Sequence, residues 1–145
     1  MSDPISGQHL VVLGAGFAAL STVREVRKHD RNVRITVIAP RAELHYLPGI
    51  IWIPCGLRRR EDLVVPLHNF FQRMNVQFIQ AEVQGLAEQG RVVLTTAGPV
   101  RNDALVIATG GRFIKKLPGI EHAITPCEGI AAAEQIRDRL KVMQG

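Results

Sequence analysis

Two glycines separated by one residue follow a short apolar run near the start of the sequence, in HLVVLGAGFAAL at residues 9–20. Residues 10–13 have the length and composition of a buried strand, and apolar residues recur at helical spacing from Phe17 onward. His29 to Asn32 interrupt that spacing, and the β-rich run VRITVI follows at residues 33–38. Strand, turn, helix and strand together predict a βαβ unit, which builds a parallel sheet.

The turn carries the spacing G-x-G-x-x-A, with Gly14, Gly16 and Ala19 at the three small positions. In such a turn the first glycine permits a sharp change of direction, and the second lets the backbone approach a pyrophosphate. The third small residue lets the helix pack closely on the strand, and the N–H groups at the helix start cradle phosphate. The motif in this setting predicts dinucleotide binding, and a glycine turn with a purely structural role is the alternative.

The end of the second predicted strand lacks the acidic residue that commonly binds the adenosine ribose, because Ile38 is followed by Ala39-Pro40-Arg41. The missing charge-assisted hydrogen bond would be worth about 1.5–3 kcal/mol. Glu43 lies too far along the chain to replace it. Arg41 would suit a 2′-phosphate, as in NADP, or a solvent-facing position, and both interpretations stay open.

The remainder of the chain predicts one long loop, two helices and a small meander. Residues 40–60 show no periodicity, and Pro66 suits the first turn of a helix whose apolar face carries Leu67, Phe70, Phe71 and Met74. Short strands are predicted over residues 76–83, 91–96 and 100–107, separated by turn-forming residues. A last amphipathic helix is predicted over residues 130–143.

Composition argues for an ordinary globular chain of one domain, with 46% hydrophobic residues among 145 and no apolar run long enough to span a membrane. Residues 1–8 lack the pattern of a secretory signal, and two cysteines suit a reducing compartment, so we predict a cytoplasmic location. The cysteine spacing predicts no metal site.

A net charge of +5 leaves Arg58-Arg59-Arg60 as the tightest basic cluster, directly followed by Glu61-Asp62. This pattern predicts a mixed-charge loop, with contact to acidic lipid headgroups as the minority alternative. The sequence shows no further clustering of basic residues that would indicate a basic face, so no nucleic-acid partner is predicted.

The glycine turn, the meander and LVIATGG at residues 105–111 together resemble the first FAD-binding half of the flavoprotein disulfide reductase superfamily. Within it the chain most resembles the sulfide:quinone oxidoreductases, with flavocytochrome c sulfide dehydrogenases and type II NADH dehydrogenases also similar. The loop HYLPGIIWIPCGLRRREDLVVPL at residues 45–67 carries the more particular likeness, including a proline near Pro48 that lies by the flavin in that family and a tryptophan near Trp52.

The resemblance implies an α/β fold: a Rossmann-like, three-layer FAD/NAD(P)-binding domain with a parallel sheet and a small antiparallel β-meander. It implies that residues 1–145 form a single domain, the N-terminal fragment of a longer flavoprotein. FAD is the implied cofactor. The resemblance implies that Gly14, Gly16 and Ala18 contact the pyrophosphate, and that Phe17 beside them also belongs to the cofactor site. Ala39 and Pro40 would lie by the adenosine ribose and Val83 by the adenine. The phosphate and ribitol region would be contacted by Ala108, Thr109 and Gly110.

Cys127 lies in Thr125-Pro126-Cys127-Glu128, which has the pattern of a capping box with Thr125 as N-cap. This pattern predicts the thiol in the first helical turn, where the helix start favours thiolate and Glu128 opposes it. A small buried residue is the alternative from the pattern. The resemblance implies a redox cysteine here. Some family members have a histidine where this chain has Ala131, so any proton-transfer role of that histidine is absent here. Cys55 is interpreted as incidental.

The resemblance implies electron transfer from sulfide through Cys127 and FAD to a quinone in the parent protein, with the isolated chain inactive. The alternatives are a type II NADH:quinone dehydrogenase-like flavoprotein and a non-catalytic nucleotide-binding domain. A peripheral position on the inner membrane face stays open beside the cytoplasmic prediction. An exposed apolar face would favour a homo-oligomer.

Overall fold

The structure, a computed structural model, describes residues 8–111 and 114–143. Residues 1–7, which form most of the segment used to exclude a secretory signal, lie outside this range. The described elements, in chain order, are β1 (His9–Leu13), α1 (Phe17–His29), β2 (Arg34–Ala39), β3 (Glu43–His45), β4 (Val64–Pro66), α2 (His68–Arg73), β5 (Val76–Gln80), β6 (Val83–Ala87), β7 (Val92–Thr95), β8 (Val100–Arg101), β9 (Ala104–Ile107) and α3 (Ile130–Met143).

A parallel four-stranded sheet has the strand order β5-β2-β1-β9. In its register, Leu13 of β1 lies between Ile38 of β2 and Ile107 of β9. The predicted βαβ unit is therefore confirmed, with β1 and β2 joined by α1. A second sheet is the antiparallel meander β6-β7-β8, and β3 and β4 form a two-stranded sheet.

Alternation along the parallel strands gives the sheet two apolar faces, each with its own core. One face carries residues such as Val12 and Val37 and packs against Ala19, Val23 and Phe71 of the helices. The other carries Val11, Leu13 and Ile38 and packs against Val93 of the meander. Helices, parallel sheet and meander thus form three layers, which confirms the predicted Rossmann-like class.

Two of the predicted strands are each divided between two sheets. Residues 76–83 form β5 and the start of β6, because the Ala81 N–H donates to the Ala39 carbonyl (3.1 Å) and the Glu82 N–H to the Thr96 hydroxyl (3.0 Å). Residues 100–107 form β8 and β9, because Asn102 donates to the Arg91 carbonyl at 2.9 Å. The prediction of two continuous strands was wrong, because the hydrogen-bond partners that divide them, Ala39, Thr96 and Arg91, belong to other parts of the chain.

The predicted helix start at Pro66 was also wrong. Pro66 ends β4, and α2 begins at His68. The Leu67 N–H donates to the Ala42 carbonyl (2.8 Å), which holds the chain extended up to the helix. The predicted apolar face is confirmed, since Leu67 and Phe71 are buried and Phe70 and Met74 pack against them.

Contacts divide the described chain into two compact units. The first contains the described residues up to Leu44 and from Pro66 to Gly110, and the second contains His45–Val65 and the described residues from Gly111 onward. The second has a small core of its own, formed by Ile50, Ile53, Leu63, Ile130 and Ala133. The single domain over residues 1–145 stays a prediction.

The second unit corrects the prediction of an irregular loop over residues 40–60. A 3-10 helix spans Leu47–Trp52 and buries Gly49 and Ile50, and Ile53 is buried directly after it. Their partners Leu63 and Ile130 are distant in sequence, so no local periodicity announces this helix. The predicted last helix is confirmed with the bounds of α3.

Candidate functional site

The strand order places a topological switch point between β1 and β9. From β1 the chain moves outward to β2 and then β5, past α1 and α2 on one face of the sheet, and it returns through the meander on the other face to reach β9. Open α/β sheets bind ligands at the carboxyl ends of the strands beside such a point. Gly14 follows β1 and Ala108 follows β9, so two predicted site segments meet there.

Gly14 occupies a backbone conformation and a packing position that exclude a side chain. Its φ is +104°, and its N–H donates to the Ile38 carbonyl at 2.8 Å. A Cβ on Gly14 would lie 2.9 Å from the Ala108 carbonyl carbon and closer still to its oxygen. The first glycine of the motif is thus explained by contact between two chain segments, whether or not a ligand binds.

Gly16 has a different environment, which suits close approach by a ligand. It is exposed and precedes α1 as the N-cap with φ −83°, and no atom lies within 4 Å of the Cβ that an alanine would add. Gly16 supplies no side-chain cap, and the first turn of α1 contains no acidic residue. The partial positive charge at this helix start is therefore available to an anion, and the site fits a pyrophosphate.

The first turn of α1 separates exposed positions from packing positions. Phe17 and Ala18 are exposed, whereas Ala19 is fully buried in the core between α1 and the sheet. The burial of Ala19 confirms the reason for a small residue at the third motif position. Phe17 and Ala18 remain predicted contacts.

A second group of predicted contacts lies around the end of β2. Ala39 is buried, so its backbone and the exposed Pro40 define this end of the strand. The hydrogen bond from Ala81 to Ala39 brings the start of the meander alongside, and exposed Val83 begins β6 two residues later. Ala39, Pro40 and Val83 are thereby brought to the same sheet edge as Gly14.

The third group follows β9. The Ala108 N–H donates to the Leu13 carbonyl at 2.9 Å, and Thr109 and Gly110 are exposed, with Gly110 at φ +78°. Ile107, which sequence reasoning did not select, leaves 63% of its surface exposed beside these residues. Its position as the last residue before the ATGG segment was the available signal.

Cys127 belongs to the second unit, whereas the ten predicted cofactor contacts belong to the first. Its N–H donates to the Thr125 hydroxyl at 3.3 Å, which confirms Thr125 as a cap. The capped element is a three-residue 3-10 turn, Pro126–Glu128, and Gly129 at φ +119° separates it from α3. The prediction that the thiol lies in the first turn of the α-helix was wrong, because Gly129 breaks the helical path.

The surroundings of Cys127 are polar and open. Its thiol is free and the residue is exposed, so the alternative of a small buried residue was wrong. The neighbouring Glu128 carboxylate pairs with the Lys115 ammonium at 2.9 Å. Hydrogen bonding from Lys115 is the main cause that lowers the pKa of Glu128, and the Thr125 backbone amide lowers it further. Cys55 is likewise exposed and free.

His9 makes structural contacts at the start of β1. Its Nε2 lies 2.8 Å from the hydroxyl of the fully buried Thr36, and the Asp103 carboxylate accepts from the His9 backbone N–H at 2.7 Å. Among residues 8–111 and 114–143, no group of three His, Cys, Asp or Glu side chains could hold a metal ion. None of the described helices has both the length and the apolar character needed to cross a bilayer.

Comparison with known proteins identifies the family. Residues 8–142 match the family model described as pyridine nucleotide-disulphide oxidoreductase. The chain is 29% identical over 138 residues to the sulfide-quinone reductase of Aquifex aeolicus (94% of this chain, 31% of the relative). It is 33% identical over 117 residues to the type II NADH:quinone oxidoreductase of Staphylococcus aureus (77% of this chain, 28% of the relative).

The crystal structure of the Aquifex aeolicus sulfide:quinone oxidoreductase superposes with a TM-score of 0.86 at 27% identity, over 95% of this chain and 32% of that one. The chain spans about a third of the length of these relatives. With the glycine turn at the switch point and a family match over nearly its whole length, this chain belongs to the pyridine nucleotide-disulphide oxidoreductase family.

Proposed function

We propose that this chain is the FAD-binding part of an oxidoreductase that transfers electrons from sulfide to quinone. The observation that carries the proposal is the exposed helix start at Gly16, placed at the switch point of the parallel sheet. Similarity to the Aquifex aeolicus sulfide-quinone reductase supports the choice of substrates.

In the proposed complex, the backbone of Gly14, Gly16, Phe17 and Ala18 faces the pyrophosphate of FAD. The uncompensated N-terminus of α1 supplies the positive charge without a basic side chain. Ala39, Pro40 and Val83 contact the adenosine, and Ala108, Thr109 and Gly110 contact the phosphate and ribitol. Because Ala39 offers no carboxylate, the ribose depends on backbone groups at this edge.

Cys127 is the proposed sulfur carrier. Its thiol would join the sulfur of H2S, giving a persulfide with loss of two electrons and two protons, and a quinone would finally take up both to form quinol. FAD, when bound, supplies a two-electron relay between these two half-reactions. The exposure of Cys127 allows a small anion to reach the thiol, and Lys115 holds the neighbouring Glu128 carboxylate in an ion pair.

Titration of the purified chain with FAD tests the binding step, with flavin fluorescence as the readout. We expect saturable binding that weakens at least about ten-fold in Gly16→Ala, because a methyl group would occupy the space reserved for the pyrophosphate. Ser21→Ala, an exposed change in the same helix, should bind normally. A chain that binds no flavin would instead support the non-catalytic alternative.

Anaerobic reduction of the full-length parent protein, loaded with FAD, separates the two enzyme candidates. Sulfide should bleach the flavin absorbance, and Cys127→Ser should abolish the bleaching while Cys55→Ser retains it. The second candidate is a type II NADH:quinone dehydrogenase-like flavoprotein, which is favoured by the similarity to a type II NADH:quinone oxidoreductase. Bleaching by NADH and not by sulfide, unaffected by Cys127→Ser, would establish that candidate in place of the first.

A further inference from the structure

A small cleft lies between the parallel sheet and the meander, within the first unit. It has a volume of about 280 Å³ and is lined by His9 at the start of β1 and Arg34 at the start of β2. Val100 and Arg101 of β8 line it from the meander side. We call it the amino-end cleft, because Gly14 and the proposed FAD contacts lie at the opposite, carboxyl ends of the parallel strands.

The floor of the amino-end cleft is a hydrogen-bonded network on a sheet face that is otherwise apolar. His9 is the register neighbour of Arg34, and Thr36 is the register neighbour of Gln77. The Thr36 hydroxyl lies 2.8 Å from His9 Nε2 and donates to the Gln77 side-chain carbonyl at 3.3 Å. Thr36 is fully buried, so it positions His9 and Gln77 and leaves contact with a ligand to them.

Arg34 supplies the positive charge of the amino-end cleft. It is exposed, and within the described residues its guanidinium has one long hydrogen bond, to the Gln77 side-chain carbonyl at 3.4 Å, and no carboxylate partner. Arg101 differs, because both of its terminal nitrogens bind the Glu88 carboxylate, at 3.0 and 2.9 Å. An arginine fork without a carboxylate partner can bind an oxyanion through two parallel hydrogen bonds.

His9 can add a second positive charge to the amino-end cleft. Burial is the main cause that lowers the pKa of His9, and the Arg34 charge lowers it further, whereas a hydrogen bond with the Arg101 backbone and the Asp103 charge raise it. An anion beside Arg34 would offset the Arg34 charge and favour the protonated ring. Anion binding and proton uptake by His9 should therefore strengthen each other.

The volume and the charges of the amino-end cleft suit a small oxyanion. Pockets for drug-sized ligands are larger, at about 300–1,000 Å³. A phosphate group carries about −1.5 to −2 charges near neutral pH and three strong acceptor oxygens, which match Arg34 and protonated His9. We propose that the amino-end cleft binds a small tetrahedral oxyanion of the phosphate or sulfate type, held by Arg34 and His9.

An NMR titration of the histidine rings tests the proposal, because the His9 signal reports on the amino-end cleft itself. The flavin-free chain is titrated with acid in sodium sulfate, which stays fully ionised over the range, and in sodium chloride at the same ionic strength. Sulfate should raise the His9 pKa by about one unit relative to chloride and should move the other histidines much less. The signal missing from the spectrum of His9→Gln identifies His9.

Variants of Arg34 separate its charge from its fork geometry. Arg34→Gln should weaken sulfate binding, followed through the His9 signal, about ten-fold, because it removes the charge-assisted hydrogen bonds. Arg34→Lys keeps the charge without the fork and should weaken binding about three-fold. Arg24→Gln, at an exposed position of α1, is the matched control and should bind sulfate normally. Melting curves of all variants check that the fold is retained.

Inorganic phosphate and glycerol 3-phosphate, compared at one pH, distinguish two sources of the oxyanion. Tighter binding of glycerol 3-phosphate would support a phosphate ester as the ligand, and equal binding would support the free anion. A His9 titration that is the same in sulfate and in chloride would overturn the proposal, as would equal responses to sulfate in Arg34→Gln and Arg24→Gln.

Gly16→Ala distinguishes the amino-end cleft from the proposed FAD site. The His9 response to sulfate should persist in this variant, because Gly16 lies beyond the opposite ends of the strands. A response lost in Gly16→Ala and kept in Arg34→Gln would assign the anion to the start of α1 and overturn the proposal. Since the experiment uses the flavin-free chain, failure to bind FAD would leave its outcome unchanged.

Discussion

Gly14 and Gly16 are one residue apart but are glycines for different physical reasons. Gly14 has a positive φ and lies against the Ala108 backbone, so a side chain there collides with the protein itself. Gly16 has a φ that any residue can adopt, and its missing side chain faces open space. Of the two, only Gly16 has no contact within the described fold that excludes a side chain, which supports the proposed ligand contact at this position.

Alanine substitution at the two glycines should therefore change the stability to very different extents. Gly14→Ala should lower the free energy of unfolding by about 2–4 kcal/mol, because it adds backbone strain and a clash with Ala108. Gly16→Ala should change it by less than about 1 kcal/mol. Thermal or urea unfolding measures both changes. Equal destabilisation would contradict the separate roles.

His9 couples the stability of the first unit to pH. Burial is the main cause that lowers its pKa below the ordinary value of 6.5, and the Arg34 charge adds to this effect. The unfolded chain then takes up a proton at a higher pH than the folded chain does. The stability contributed by neutral His9 is present above pH 6.5 and is lost as the pH falls through the lower folded value.

The melting temperature should consequently decrease between about pH 7.5 and about pH 5, with part of the decrease due to His9. His9→Gln should show a flatter profile over this window, because the titrating ring is gone. His68→Gln, at an exposed position of α2, serves as the control and should keep the original slope. An unchanged slope in His9→Gln would argue against this coupling.

At the level of elements, Asn102 joins the end of the meander to the turn between β6 and β7. It is buried, its side-chain amide donates to the Gly90 carbonyl at 3.0 Å, and its backbone N–H donates to the Arg91 carbonyl at 2.9 Å. The next residue, Asp103, donates its N–H to the His9 carbonyl at 2.9 Å. These bonds end β8 in one sheet and start β9 in the other.

Removing the Asn102 amide should loosen this connection. Asn102→Ala should cost about 1–3 kcal/mol, because the Gly90 carbonyl loses the donor that the buried Asn102 supplies. Hydrogen exchange should increase in β8 and β9 before it increases in β1. Asn32→Ala, at an exposed site, is the matched control and should leave the stability and the hydrogen exchange of β8 and β9 unchanged. Stability equal to that of the control would show that Asn102 does not hold the two strands.

At the scale of the whole molecule, large apolar side chains remain exposed in both units. In the first, Ile107 is 63% exposed, and in the second, Val142 and Met143 at the end of α3 are each 82% exposed. Monomeric proteins seldom leave many such residues uncovered. Self-association through an exposed apolar face therefore stays a prediction, and these exposed side chains are its physical basis.

Sedimentation velocity over a wide concentration range should show a mass that rises with concentration. Val142→Lys with Met143→Lys should reduce this rise, because charges on the exposed end of α3 oppose burial of that surface. The double change should leave the melting temperature nearly constant, since neither side chain is packed. A strictly monomeric mass at all concentrations would count against self-association.

Features set by neighbouring residues were predictable from the sequence. The strand, glycine turn and helix around Gly14 depend on local apolar spacing and on glycine conformations, and so does the extent of α3. The same local pattern selected Gly16 as a predicted phosphate contact. The resemblance of the sequence to a known family added the positions near Ala39 and Ala108, which the sheet register brings to one edge.

The tertiary structure decided what depends on partners distant in the chain. Hydrogen bonds from Ala81 and Asn102 divided two apparent strands between sheets, and burial against Leu63 and Ile130 turned an unpatterned loop into a 3-10 helix. The exposure of Cys127 and of Trp52 belongs to the same class of property. Local composition determines which conformations a segment prefers, whereas burial and hydrogen-bond partners are set only when distant segments meet.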